Sequence, residues 1–210
     1  MELSMKKILL PFVLATSPLF AIANEDISTQ GPKISGVYIG AGFGTFGYSE
    51  EDSWGYNSNE ISAKADGNST KIYLGYQFNK IVGIEGTYTD YGTAKAKVGN
   101  YSMKPTSISL AANLGYTFDN GLRPFGLVGM SSLDLNQNEE LLTDDKGAAF
   151  KFGFGVEYTP TALNGVQFRA AYEMDLYSVE YLDYQSGSGL TTETNLYSLD
   201  SLYVGASYKF

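Results

Sequence analysis

Eight ionisable side chains mark the places where this sequence would do chemistry or bury charge. Lys71, Glu85, Lys151, Glu157, Arg169, Glu173, Asp175 and Lys209 each take an alternate position inside an otherwise apolar, glycine-rich stretch, four of them cationic and four anionic. A lone ion is costly to desolvate, whereas opposite charges in one low-dielectric space offset each other. The spacing therefore points first to a buried ion-pair cluster. Catalysis fits less well. The chain holds no Cys and no His, which removes thiolate nucleophiles, disulfides, His-ligated zinc and every Ser–His hydrolase mechanism. Asp and Glu pairs can act as acid and base, but nothing aims such a pair at a substrate, so no enzymatic activity is expected. No cofactor or metal is expected either, since Asp144-Asp145 lacks the spacing of a calcium loop. The glycines at 40, 42 and 44 are no phosphate loop, because no helix follows them. A formal charge of −9 with no basic stripe excludes nucleic acid as a partner.

The elements that must position these charges are strands. Eight stretches alternate with period two. Their apolar positions run through Val37, Ile39 and Phe43; Ile72, Leu74 and Tyr76; Val82, Ile84 and Tyr88; and Ile108, Leu110 and Leu114. They continue through Phe125 and Leu127; Phe150, Phe152 and Phe154; Val166, Phe168 and Tyr172; and Leu202, Val204 and Tyr208. The fifth stretch alternates least cleanly, and Phe125, Leu127 and Gly129 are assigned there to the apolar face. The connections at 79–80, 119–123 and 159–165 are short, while those at 49–68, 92–106, 135–147 and 177–195 are long and polar. Short turns at one end and long loops at the other describe an all-β, eight-stranded antiparallel up-and-down transmembrane β-barrel.

A soluble barrel would alternate too, with its large apolar side chains turned inward. Size and charge decide the facing. A narrow eight-stranded lumen suits glycines and a few long polar side chains. The apolar set places Phe78, Phe118, Phe125, Tyr158, Phe168, Tyr208 and Phe210 at the short-turn ends, as an aromatic girdle at one membrane interface would require. Strands enter lipid only as a closed barrel, because an open edge leaves backbone groups unpaired.

Residues 1–23 are expected to be an export signal. Lys6 and Lys7 precede an apolar run over 8–20 that is short for a spanning helix, and Ala21-Ile22-Ala23 forms a small-x-small cleavage site. The true start is Met1 or Met5. Residues 24–35 are then a short periplasmic segment, and 36–210 the barrel.

The last eight residues, Tyr203-Val204-Gly205-Ala206-Ser207-Tyr208-Lys209-Phe210, resemble the carboxy-terminal signal of outer-membrane proteins, with Gly205, Tyr208 and Phe210 as its key positions. Gly83-Ile84-Glu85-Gly86-Thr87-Tyr88 is similar to the third strand of OmpA-like, porin-family barrels, as is Leu74-Gly75-Tyr76-Gln77-Phe78 before it. The resemblance covers residues 34–210 and implies a Gram-negative cell outer membrane, recognition by the barrel-assembly machinery and periplasmic chaperones, and an inward Glu85 in a lumenal salt-bridge cluster. The chain departs from full-length OmpA in ending at the barrel, so no tether to peptidoglycan is implied.

Chain geometry places Lys151 near Glu173 across the 159–165 turn, and Arg169 near the level of Glu85 and Glu157. The loops are the expected contact face, with Trp54, Tyr56, Tyr181 and Tyr184 as contact candidates and Tyr177 beside them. Their partners would be outer-membrane lipid and lipopolysaccharide, or an extracellular ligand or host surface. The expected role is structural or surface interaction with a lumen plugged by polar side chains. The rivals are a narrow porin-like channel and an adhesin or colonisation factor.

Overall fold

The structure is a computed structural model that describes residues 32–51, 63–96, 102–136, 146–185 and 189–210. Among the described residues the strands are, in chain order, β1 (Gly36–Thr45), β2 (Gly47–Glu51), β3 (Ala63–Asp66), β4 (Asn68–Gln77), β5 (Val82–Asp90), β6 (Thr93–Ala96), β7 (Ser102–Met103), β8 (Thr106–Gly115), β9 (Leu122–Asp134), β10 (Lys146–Tyr158), β11 (Val166–Gln185) and β12 (Gly189–Lys209). Eight of them, β1-β4-β5-β8-β9-β10-β11-β12, follow one another antiparallel, and β1 pairs with β12 to close the barrel. The alternating pattern forms strands because each face then meets one kind of solvent.

The register fixes the shape. Stepping from Ile39 through Leu74, Gly86, Leu110, Met130, Phe150 and Leu176 arrives at Ser198 on β12. Ile39 also pairs directly with Tyr208 on that same strand. The offset, 208 − 198 = 10 residues, is the stagger of the barrel. With eight strands it sets a tilt of about 40° and a bore that side chains can fill.

Short turns close one end with local polar chemistry. The Asn79 carboxamide oxygen accepts the amides of Ile81 and Val82 at 2.8 and 2.9 Å, an Asx turn. Gly121, at φ 85°, donates its amide to the Phe118 carbonyl at 3.0 Å. A Cβ there would lie 2.2 Å from the Thr159 carbonyl oxygen, so the left-handed turn needs glycine.

At the other end the wall continues past the expected loop boundaries. Residues 177–185 and 189–195, read from sequence as part of a loop, form a two-stranded ribbon in which β11 and β12 pair out to Gln185 and Gly189. β2 extends β1 along β12, and β3, β6 and β7 form a second, three-stranded sheet inside the expected 49–68 and 92–106 loops. Polar strands of this kind alternate weakly in hydropathy, because the membrane's lipid does not face them.

The facing of one strand is the reverse of the sequence expectation. On β9, Phe125 and Leu127 are buried inside, and Val128 and Met130 are exposed outside. Phe125 therefore does not belong to the girdle. The segment Phe125-Gly126-Leu127-Val128-Gly129-Met130 is apolar or glycine at every position, so its pattern carries no parity. Arg123 decides it, since a buried guanidinium needs the lumenal carboxylates. The other girdle residues, Phe78, Phe118, Tyr158, Phe168, Tyr208 and Phe210, are exposed on the outer face. Three i,i+2 pairs among the aromatics there, Tyr76–Phe78, Tyr116–Phe118 and Tyr208–Phe210, each meet edge-on at 5.0 Å.

Candidate functional site: the lumen and the rim

Inward positions from all eight barrel strands build a stack of layers along the bore. At the short-turn end Lys209 bonds the Gln77 carboxamide oxygen and, at 3.4 Å, the Lys33 carbonyl. Gln77 donates to Thr117 at 3.1 Å and Gln167 to Thr159 at 3.0 Å.

Above lies a layer centred on Arg169. Its guanidinium forks onto Glu85, with N···O distances of 2.8 and 2.6 Å, and donates to Glu157 at 2.6 and 3.0 Å. Arg123 reaches the other oxygen of Glu157 at 3.0 Å. The Tyr38 hydroxyl donates to Glu85 at 2.6 Å, and the Asn113 amide at 3.3 Å. The Arg169 guanidinium also lies 4.2 Å from the Tyr73 ring centroid and 4.8 Å from that of Phe125, where cation–π attraction adds to the ion pairs. Bidentate contact to one carboxylate and a second carboxylate beside it compensate the desolvation of a fully enclosed guanidinium. Glycines make room for the rings: a Cβ on Gly75 would sit 2.3 Å from Tyr38, and one on Gly40 2.5 Å from Tyr73.

The next layer is centred on Glu173. Lys71 and Lys151 contact its carboxylate at 2.8 and 3.0 Å, and Lys151 lies 3.6 Å from Asp175. Asp175 accepts from Tyr91 at 2.6 Å and Ser131 at 2.9 Å. The Tyr203 hydroxyl joins the two layers, donating to Glu173 and accepting from Arg169 at 3.2 Å.

Above the ions the bore turns apolar. Phe46, Tyr91, Ala94, Met103, Leu133, Leu135, Ala149, Tyr177, Tyr197 and Leu199 form one buried cluster, with Tyr48 packed against it. Tyr177 and Tyr48 both stack on Tyr197, at 5.4 and 6.3 Å. Tyr177, counted among the loop residues from sequence, is thus an interior residue.

The structure brings together all seven expected lumenal charges, and Lys209 below them. It adds Arg123, which the sequence reading had placed in a turn. Tyr38, Tyr91 and Tyr203 were also missed as partners of the carboxylates, because tyrosine reads as apolar in a hydropathy pattern while its hydroxyl can serve a buried ion. Trp54 and Tyr56 lie outside the described residues. Tyr181 and Tyr184 fall on the β11 end of the ribbon. Among the described residues no group of three or more His, Cys, Asp or Glu is disposed to hold a metal. Outside the membrane, at the short turns, Asp119 holds the Lys80 ammonium above the usual lysine range by a 2.9 Å hydrogen bond and its charge.

A closed antiparallel barrel with an apolar outer belt, an aromatic girdle and a charged interior defines an integral outer-membrane protein. The chain belongs to the outer membrane protein beta-barrel domain family, whose profile matches residues 12–210. Among solved structures it is similar to Neisserial surface protein A (NspA), with a TM-score of 0.58, 20% identity and coverage of 85% of this chain and 99% of that one. It is also similar to the outer membrane protein OprG of Pseudomonas aeruginosa, with a TM-score of 0.50, 15% identity and coverage of 85% and 98%. At these identities the likeness is one of fold. No curated protein matches the chain significantly.

Proposed function

We propose that this chain is a non-catalytic outer-membrane barrel whose lumen is plugged by its own side chains and whose long-loop end carries a structural or surface-interaction role. The observation that supports this most is the state of the bore. Lys71, Glu85, Lys151, Arg169 and Glu173 are each at most 3% exposed, and each is ion-paired. With the apolar cluster of Phe46, Leu133 and Leu199 stacked above these charges, the narrow bore is filled along its length and offers a ligand or ion no standing path. Specific contact then falls to the long-loop end, which outer-membrane barrels turn to the cell exterior. Trp54, Tyr56, Tyr181 and Tyr184 are its contact candidates, and lipopolysaccharide or a host surface its partner classes. On this reading residues 1–23 direct export, and Gly205, Tyr208 and Phe210 present the chain to the assembly machinery.

The test is conductance of the purified barrel in a planar bilayer. Silence is the expected result, and steady open events would establish the channel reading instead. A surface-binding screen with each long loop replaced in turn then separates the remaining roles. Loss of host-cell or matrix binding on replacement of one loop marks an adhesin, and unchanged binding throughout marks a structural role.

A further inference from the structure

We propose that the apolar cap at the long-loop end, and not the ion-pair layers beneath it, is the barrier that seals this barrel. The inference rests on the plugged-lumen reading and names the part of the plug that does the sealing.

The two parts of the bore differ in what they offer water. The ion layers interleave paired charges with Phe125, Leu127 and tyrosine rings and hold groups that a water molecule would satisfy. Thr89 Oγ1 and Arg123 Nε are buried there without a hydrogen-bond partner, and Lys151, paired with Glu173 at 3.0 Å, stands 3.6 Å from Asp175. Such a layer gains bonds when it hydrates. Rings of charged side chains line ion paths as readily as they block them. Breaking one ion pair there leaves a polar passage, not a leak-proof wall.

The cap has the opposite character. Around the axis it draws Phe46 from the β1–β2 junction, Tyr91 from the end of β5, Ala94 from β6, Met103 from β7, Leu133 from β9 and Leu199 from β12. Six directions thus converge on one apolar cluster. On β4 the corresponding inward group is Ser69, whose hydroxyl is occupied by Ser201 at 2.5 Å. The Tyr91 hydroxyl points down to Asp175, so it closes the ion layer from above without offering water a foothold in the cap. An apolar constriction excludes ions by dewetting, whatever the state of the charges below it.

The experiment compares three versions of the full chain in planar bilayers, each shown to be folded by its heat-modifiable gel migration. They are the wild type, Lys151→Gln with Glu173→Gln to remove the central ion pair of the upper layer, and Phe46→Ser with Leu133→Ser and Leu199→Ser to open the cap. The first two are expected to be silent and the third to conduct steadily. Conductance by the ion-layer variant with the cap intact, or silence of a folded cap variant, overturns the proposal. Conductance by the wild type instead defeats the plugged-lumen reading itself. If the triple variant does not fold, Leu199→Ser alone is tested by thiol labelling, which is clean because the chain has no Cys. A Ser109→Cys reporter lies within the ion layers. Its reaction with a hydrophilic maleimide added at the long-loop side should rise about tenfold with Leu199→Ser and not with the ion-layer variant. The reverse order of rates overturns the proposal.

Discussion

The membrane belt and the rim above it are one continuous wall with opposite interiors. In the belt Leu110, Phe154 and Val204 face out while Lys71, Glu85 and Arg169 face in. In the rim Leu133, Leu199 and Tyr177 face in, and Lys146 faces out with its side chain 75% exposed. The change happens within single strands. Along β9 the outward residues pass from Val128 and Met130 to Ser132 and Asp134, while the inward series of Arg123, Phe125, Leu127 and Ser131 gives way to Leu133. Along β10 the inward side passes from Lys151 to Ala149. The backbone is the same in both regions; the outer solvent differs. Lipid rewards apolar side chains outside and leaves the interior to paired charges. Water reverses both demands, so the rim packs like a soluble barrel.

That comparison can be broken or sharpened by five predictions, read as unfolding free energies in detergent or vesicles. The largest expected effect is Arg169→Leu, which strands Glu85 and Glu157 without their shared cation and should cost about 3–5 kcal/mol. Denaturant midpoints measure it, and a near-neutral result would mean that the layer is hydrated rather than dry. Next comes Lys151→Glu, which sets a third carboxylate beside Glu173 and Asp175. Adding Glu173→Lys should recover part of the loss, whereas simple additivity of the two single effects would rule out direct coupling.

Leu199→Ala in the rim interior should cost about 2–5 kcal/mol, because a cavity remains. Leu202→Ala on the lipid side of the same strand loses transfer energy alone, since acyl chains fill the space, so its cost should be smaller. Equal costs would deny the rim a packed core. Phe154→Arg in the middle of the lipid face should cost about 2–4 kcal/mol. Ser132→Arg, a few residues above the belt on β9, should stay within about 0.5 kcal/mol. The smallest effect is expected at the short turns. Asp119→Asn removes the exposed Lys80 pair and should leave the unfolding midpoint unchanged, since solvent-exposed pairs contribute little.

Much of the belt was legible because lipid imposes a strict period of two. On β10, Phe150, Phe152 and Phe154 alternate with Lys151, Gly153 and Gly155, and no other reading suits that segment. The partners Lys151–Glu173 and Arg169–Glu85–Glu157 followed from strand order and turn length. The rim was not legible in the same way. Its segments mix polar and apolar residues without strict alternation, so Gly189, Thr192 and Asn195 read as loop although they stand in β12. β9 failed for another reason: with apolar or glycine residues on both faces, Phe125 could be turned either way by local pattern.

By itself the sequence determined the number of barrel strands, the closed antiparallel order and the inward set of ions, because alternation and turn length are local properties and lipid tolerates few exceptions to them. Only the tertiary structure decided the stagger of ten residues, the recruitment of Arg123 and the tyrosine hydroxyls to the carboxylates, and the apolar cap. Each of these depends on which side chains meet across a bore about 16 Å wide between backbones, and that distance is set by closing the sheet, not by any stretch of the chain.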